Sequence, residues 1–255
     1  MTTTAPSLRR LTPQAAILLL AAAVAWLVSV GRAGAMAGMT GTMALGLPGF
    51  VGMWALMMAA MMLPSVAPVA SMYQRSVRSW RAPRLAGFTG GYLLAWAGAG
   101  VPAYLLTLLV AQLVTDHPAW ATVVAVVVFA ACGVYQLTPL KSRCLKHCRS
   151  PLSLLLHYGS YQGALRDVRA GAHHGAYCLG CCWSLMALFV VLGVMNLAAM
   201  VVLAAVVLAE KLWGHGELLA RVVGVVALVL AVAVIWVPEL APGLHGSSQM
   251  GMAGS

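Results

Sequence analysis

The sequence predicts an all-α fold, a polytopic bundle of transmembrane helices, and three observations carry that prediction. Hydrophobic residues fill 62% of the 255 positions, charged ones 8%, and the mean hydropathy is +0.92. No soluble domain of this size leaves so little polar surface to face water. Apolar runs of about 20 residues recur, each long enough to cross roughly 30 Å of hydrocarbon. These runs are continuous Leu, Val and Ala stretches without strict alternation, which selects helices over a closed barrel as the way to satisfy the backbone in lipid. About seven crossings (six to seven) are expected, in a single helical domain over 14–237, with a cytoplasmic segment at 1–13 and a flexible Gly/Ser/Met tail at 238–255.

The first span covers about 14–30. Arg9 and Arg10 before it and Ala33, Gly34 and Ala35 after it give the outline of a signal sequence, but the apolar core is long enough for a retained helix. A Gly-rich loop, GAMAGMTGTMALGLPG, leads to the second span at about 50–73, which ends at the basic stretch QRSVRSWRAPR. The third span, about 85–113, carries Gly87, Gly90, Gly91, Gly98 and Gly100, small residues that permit close helix approach. Asp116 and His117 mark a short outer turn before the fourth span, about 119–137. A basic loop at 141–175 follows, mildly amphipathic and suited to the interface. From Ala176 to Lys211 the chain stays apolar for 36 residues, which as one helix would extend about 54 Å. That is too long for one crossing without severe tilt. A break near Gly193–Asn196 turns 176–211 into two short passes or a re-entrant pair, and the last span covers about 218–237.

The net charge of +10 is topology before it is binding. Arg32, Lys211 and Arg221 apart, the 15 Lys and Arg fall in three clusters beside spans: Arg9 and Arg10; Arg75, Arg78, Arg81 and Arg84; and Lys141, Arg143, Lys146, Arg149, Arg166 and Arg169. This positive-inside pattern predicts a multi-pass protein of the bacterial cytoplasmic (inner) membrane with a cytoplasmic N-terminus. The lipid bilayer is then its constant partner, and no nucleic acid is expected. Of the six cysteines, Cys132 lies in a span and the other five lie within or beside one cytoplasmic loop. A reducing compartment disfavours structural disulfides there and points to metal or redox chemistry.

Two groups of residues fit a soft metal ion. The stretch MWALMMAAMMLPSVAP places Met57, Met61, Met58 and Met62 at about 40°, 80°, 140° and 180° around a helix counted from Met53, one broad stripe with Trp54 over it. Thioethers are neutral and soft, so they ligate Cu(I) without burying a compensating charge. Met36, Met39 and Met43 precede this helix in a polar loop that offers no core to fill. Pro64 and Pro68 withhold backbone donors, so the Ala60 carbonyl loses its partner. Core packing explains the helical methionines equally well, because Met fills irregular gaps between helices. The second group is KSRCLKHCRSP, with Cys144, His147 and Cys148, and HHGAYCLGCCW, with His173, His174, Cys178, Cys181 and Cys182. On a helix His174, Cys178, Cys181 and Cys182 share about 100° of arc, and Cys144 and Cys148 share a face. The ligand types suit Cu(I) or Zn(II), although the spacing matches no zinc finger. Adjacent Lys and Arg favour the thiolate form.

Four ordered stretches, MWALMMAAMMLPSVAP, KSRCLKHCRSP, HHGAYCLGCCWSLM and GVMNLAAMVVLAAVVLAEKL, resemble the bacterial family of predicted metal-binding integral membrane proteins, domain of unknown function 2182. The resemblance covers about 50–230 and implies a membrane protein with metal binding and no established reaction. Its motif positions are Trp54, Met57, Met58, Met61, Met62 and Pro64; Cys144, Cys148 and Pro151; Cys178, Cys181, Cys182 and Trp183; and Met195, Asn196, Glu210 and Lys211. Asn196 reads as a helix cap or an interhelical hydrogen-bonding residue, and it and Met195 join the metal set only if they meet the methionine helix. Glu210 and Lys211 read as markers of a membrane boundary. His245, Met250 and Met252 in the tail read as further soft donors if the C-terminus is outside, or as simple disorder.

The function expected is an integral membrane protein that binds a soft metal ion, Cu(I) first, and handles or transfers it across or at the membrane. Its expected partner is a cuproprotein or another membrane protein. The alternative is a non-transporting accessory or scaffold subunit of a membrane complex. An enzyme is disfavoured, because the chain has no phosphate loop, nucleophile elbow or zincin motif and only five acidic residues for acid/base work. The expected metal residues are Met57, Met58, Met61, Met62, Met195, Cys144, Cys148, His174, Cys178, Cys181 and Cys182, with none assigned to catalysis.

Overall fold

The structure, a computed structural model, describes residues 13–36, 41–76, 80–149, 158 and 161–244. Among these residues it is all-helical and has no strand: α1 Pro13–Met36, α2 Leu47–Ser76, α3 Arg81–Asp116, α4 Trp120–Leu137, α5 Pro139–Arg149, α6 Arg166–Leu192, α7 Leu197–Leu212 and α8 Gly216–Ala233, with a 3-10 turn at Pro238–Leu240. Six of them, α1, α2, α3, α4, α6 and α8, are long and apolar enough to span a membrane. The 16 residues of α7 rise only about 24 Å. Large apolar side chains such as Leu20, Leu27, Val127 and Val229 are more than half exposed, the surface a bilayer covers.

The centre of the bundle is a close parallel crossing of α3 and α6, with α2 antiparallel to both. A methyl group at Gly91 would run into the Val168 carbonyl, and one at Gly171 into the Phe88 carbonyl, so only glycine lets these backbones meet. α1 covers α2, and α4 and α8 form an antiparallel pair whose Gly133 lies against Leu228. The C-terminal end of α2 and the N-terminal ends of α3, α6 and α8 gather charges at one end of the molecule. There Arg84 pairs with Asp167 at 2.9 Å, Lys146 reaches Glu217 at 3.6 Å, and Arg149 donates to the Trp213 carbonyl at 2.5 Å.

The break expected at 193–196 is present. Gly193 has φ +94, a region that penalises any side chain. The Asn196 side chain caps α7 by accepting from the Ala199 N–H at 3.1 Å. Pro64 and Pro68 do not end α2, which runs through both.

Two expectations need correction. The loop expected at 141–175 holds most of α5 and the first turns of α6, so His173 and His174 stand on a helix rather than in a loop. Asp167 makes this early start tolerable, because its carboxylate accepts from both Arg84 and Tyr73. Met43 is buried at 2% exposure, so this loop methionine does fill a core. Glu210 and Lys211 face the bundle, Glu210 at 1% exposure and the partly buried Lys211 against α2 and α6. At the C-terminal end, Gly243 donates to the Val191 carbonyl at 2.8 Å, and Ala241 and Leu244 are buried on the bundle. Met39, the side chain of Met36, Arg9, Arg10, Pro151, His245, Met250 and Met252 lie outside the described residues.

Candidate metal centre

Cys178, Cys181 and Cys182 occupy one buried face of α6, and their sulphurs all lie within 4.8 Å of one another. Cys181 Sγ is 3.2 Å from Cys182 Sγ and also donates to the Cys178 carbonyl at 3.2 Å. A fourth thiol comes from a different element: α5 brings Cys148 Sγ to 3.8 Å from Cys181 Sγ. A tetrahedral ion with metal–sulphur bonds of about 2.3 Å needs sulphurs about 3.8 Å apart, and a trigonal one about 4.0 Å. The separations of 3.2 and 3.8 Å, with all three α6 sulphurs within 4.8 Å, lie close to these values, so this donor set fits a thiophilic ion with small side-chain adjustments.

Buried polar residues fix the position of α5. Lys141 Nζ donates to the Cys181 carbonyl at 2.5 Å and to Glu210 Oε2 at 2.6 Å, while Gln136 Nε2 donates to Glu210 Oε1 at 3.0 Å. The side chains of Lys141 and Glu210 are each only 1% exposed. Burial by itself would lower the Lys141 ammonium, but Cys182, Glu210 and Cys181 outweigh it and hold the group above its ordinary value. This pair ties α5 to α7 across the cysteine-bearing turn of α6.

Cys178 meets a second cation. Lys211 Nζ lies 2.8 Å from Cys178 Sγ and 3.1 Å from Ser65 Oγ, and Tyr92 Oη lies 3.1 Å from the same sulphur. None of the ion pairs among the described residues gives Lys211 a carboxylate. A partly buried ammonium gains from a partner, and the Cys178 sulphur is the acceptor at hand. Ser65 in turn donates to the Met62 carbonyl at 2.8 Å, so the methionine helix and the cysteine cluster are joined through two side chains. On the sequence alone these two groups belong to opposite membrane sides, tens of ångströms apart.

The other expected ligands are distributed around this centre. His174, 3% exposed, stands four residues before Cys178 between the rings of Phe88 and Tyr92, and its Nδ1 has no hydrogen-bond partner among the described residues. Cys144 is half-buried against Gly180 and lies outside the cluster; burial raises its thiol, which Lys141 offsets only in part. Met57, Met58, Met61 and Met62 are all buried on α2. Met195 sits in the turn after α6, and the ten residues from Cys182 to the end of that helix alone rise about 15 Å. Sequence reasoning gave Lys141 no role beyond the basic cluster, missed Tyr92 and Ser65, and did not join Glu210 and Lys211 to the cysteines. The available signal was the scarcity of charge, since an adjacent Glu and Lys ending an apolar run need partners if they face inward.

Residues 51–234 match the model of the PpoB2 family, described as copper chaperone. No curated protein sequence and no solved structure matches the chain. The matched segment is most of the chain and contains every element of the centre, so the chain belongs to the PpoB2 family.

Proposed function

We propose that this member of the PpoB2 family is a Cu(I)-handling membrane protein, which takes the ion into the thiols of Cys148, Cys178, Cys181 and Cys182 and passes it to a copper-requiring protein at or across the bilayer. The observation that carries this is the buried thiol cluster, with three sulphurs within 4.8 Å of one another and a fourth 3.8 Å from one of them. Soft thiolates in a dry interior favour Cu(I) over harder ions, and Zn(II) is the competing ion for a sulphur set. Lys211 supplies positive charge to a site that gathers thiolates, which reduces the cost of burying them. The location proposed is the bacterial inner membrane with a cytoplasmic N-terminus, so the basic end of the bundle and the cysteines lie toward the cytoplasm. The equivalence of this family with domain of unknown function 2182 rests on the four sequence motifs.

A second reading, a scaffold subunit that moves no metal, is favoured by one observation: the methionines of α2 are buried as ordinary core. Anaerobic Cu(I) titration against a competing chelator separates the two. Purified protein should hold one Cu(I), and a Cys178→Ser/Cys181→Ser/Cys182→Ser variant should hold none. No copper in either favours the scaffold, and equal copper in both refutes the cysteine site.

A further inference from the structure

We propose that Cys144 is the port of the thiol cluster: Cu(I) enters and leaves through its sulphur, by exchange with a cysteine thiolate of an acidic partner protein at the basic end of the bundle. The inference rests on the reading of the cysteines as a Cu(I) site and adds the residue through which they fill and empty.

Burial creates the need for a port. Cys178, Cys181 and Cys182 are fully buried and Cys148 is 6% exposed, so no incoming donor reaches an ion that these four hold. A bare cation set loose in apolar surroundings is uncompensated, so the ion moves only while the old and the new donor both hold it. Of the six cysteines, Cys144 alone is not buried.

Two observations tie Cys144 to the cluster. It precedes Cys148 by four residues on α5, which puts the two β-carbons on one face about 5–6 Å apart. Its sulphur also lies against α6 at Gly180, 3.1 Å from where a β-carbon would stand, so glycine keeps that place open. Gly180 directly precedes Cys181, whose sulphur is 3.8 Å from that of Cys148. α5 therefore lays two sulphurs, one turn apart, on adjoining residues of α6. An ion shared by both needs them no more than about 4.6 Å apart, twice a metal–sulphur bond. Side-chain rotation from β-carbons at that spacing reaches it.

The surroundings name the partner. α5 is not one of the candidate spans, and its Lys146 reaches Glu217 at the start of α8, so Cys144 stands at the charged end rather than in lipid. Arg143 and Lys146 beside it are both exposed. Such a rim repels a free cation and attracts an acidic surface, so copper arrives and departs on a donor. In the outward step the Cys144–copper bond forms as the Cys148–copper bond breaks, and the Cys144 proton passes to the Cys148 sulphur. Copper stays Cu(I) and the charge of the cluster is unchanged. The partner's thiolate then bonds to copper as the bonds to α6 and to Cys144 break, and the vacated thiolates take protons from water. Every step reverses, so one port serves loading and unloading.

The test is anaerobic stopped-flow transfer of Cu(I) between detergent-solubilised full-length protein and a peptide with a Cys-x-x-Cys pair flanked by glutamates, run in both directions. Wild type is compared with Cys144→Ser and with Cys132→Ser, which alters a buried thiol of α4 outside the cluster. The port predicts equal Cu(I) occupancy and affinity in all three, with transfer slowed at least tenfold both ways in Cys144→Ser alone. Transfer within twofold of wild type, or equal slowing in Cys132→Ser, overturns the port and leaves the cysteine site standing. Lost occupancy in folded Cys144→Ser overturns it too, because Cys144 is then a ligand of the resting site. Lysines in place of the peptide's glutamates should slow transfer at low salt, and equal rates remove the acidic partner. Should Cys144→Ser not fold, copper-loaded wild type is treated with N-ethylmaleimide instead. One adduct, at Cys144, with copper retained and transfer blocked supports the port, and transfer that continues past that adduct overturns it. A wild type that holds no Cu(I) refutes the copper reading itself, and the port with it.

Discussion

Lys141 and Glu210 form an ion pair that water hardly reaches, and such pairs are costly to break singly. Lys141→Met would leave the Glu210 carboxylate buried with only Gln136 as a partner, and should lower stability by about 3–5 kcal/mol in denaturant unfolding in detergent. Adding Glu210→Met should restore much of that loss; a double variant as unstable as the single one would contradict the pairing. The two cysteines of α5 should also separate. Cys148→Ser removes a sulphur 3.8 Å from Cys181 and should weaken Cu(I) binding at least tenfold, whereas Cys144→Ser should leave it unchanged in the same chelator competition. At this scale the sequence identified the cysteines, because residue type and helical phase suffice to gather Cys178, Cys181 and Cys182 on one face. It did not give the partners of Glu210 and Lys211, because an ionisable residue near the end of an apolar run looks the same whether it faces headgroups or core. Phase gives a face; it does not give depth.

Among the elements, the α3–α6 crossing positions Tyr92 against Cys178, and two glycines permit it. Gly171→Ala forces a methyl group into the Phe88 carbonyl and should lower stability by about 1–3 kcal/mol, read as a fall in Tm. Gly90→Ala on the neighbouring position of α3, where nothing lies within 4 Å, should be tolerated. The glycines of α3 were legible as a close-approach surface, but their partners on α6 were not. Arg166, Asp167 and Arg169 made that segment read as a loop, and only the pairing of Asp167 with Arg84 and Tyr73 shows why a helix begins there. The α6–α7 break was legible from length alone, since no single crossing accommodates 36 residues.

For the whole molecule, fold class followed from composition, because a chain that is 62% hydrophobic must put its surface in lipid. What composition could not supply was the meeting of α2, α5, α6 and α7 around one cluster, which depends on contacts distant in sequence. The gathering of basic residues at one end leads to a topology test: a cysteine introduced at Arg143 should be labelled from the cytoplasm, and one at His117, in the turn between α3 and α4, from the other side. The reverse pattern would invert the direction of transfer. The central claim, that the thiols of α5 and α6 hold Cu(I), is tested most directly by X-ray absorption at the copper edge of the loaded protein. The account predicts a shell of sulphur alone at about 2.3 Å, diminished by Cys181→Ser. A shell of nitrogen or oxygen, or one that Cys181→Ser leaves untouched, would contradict it.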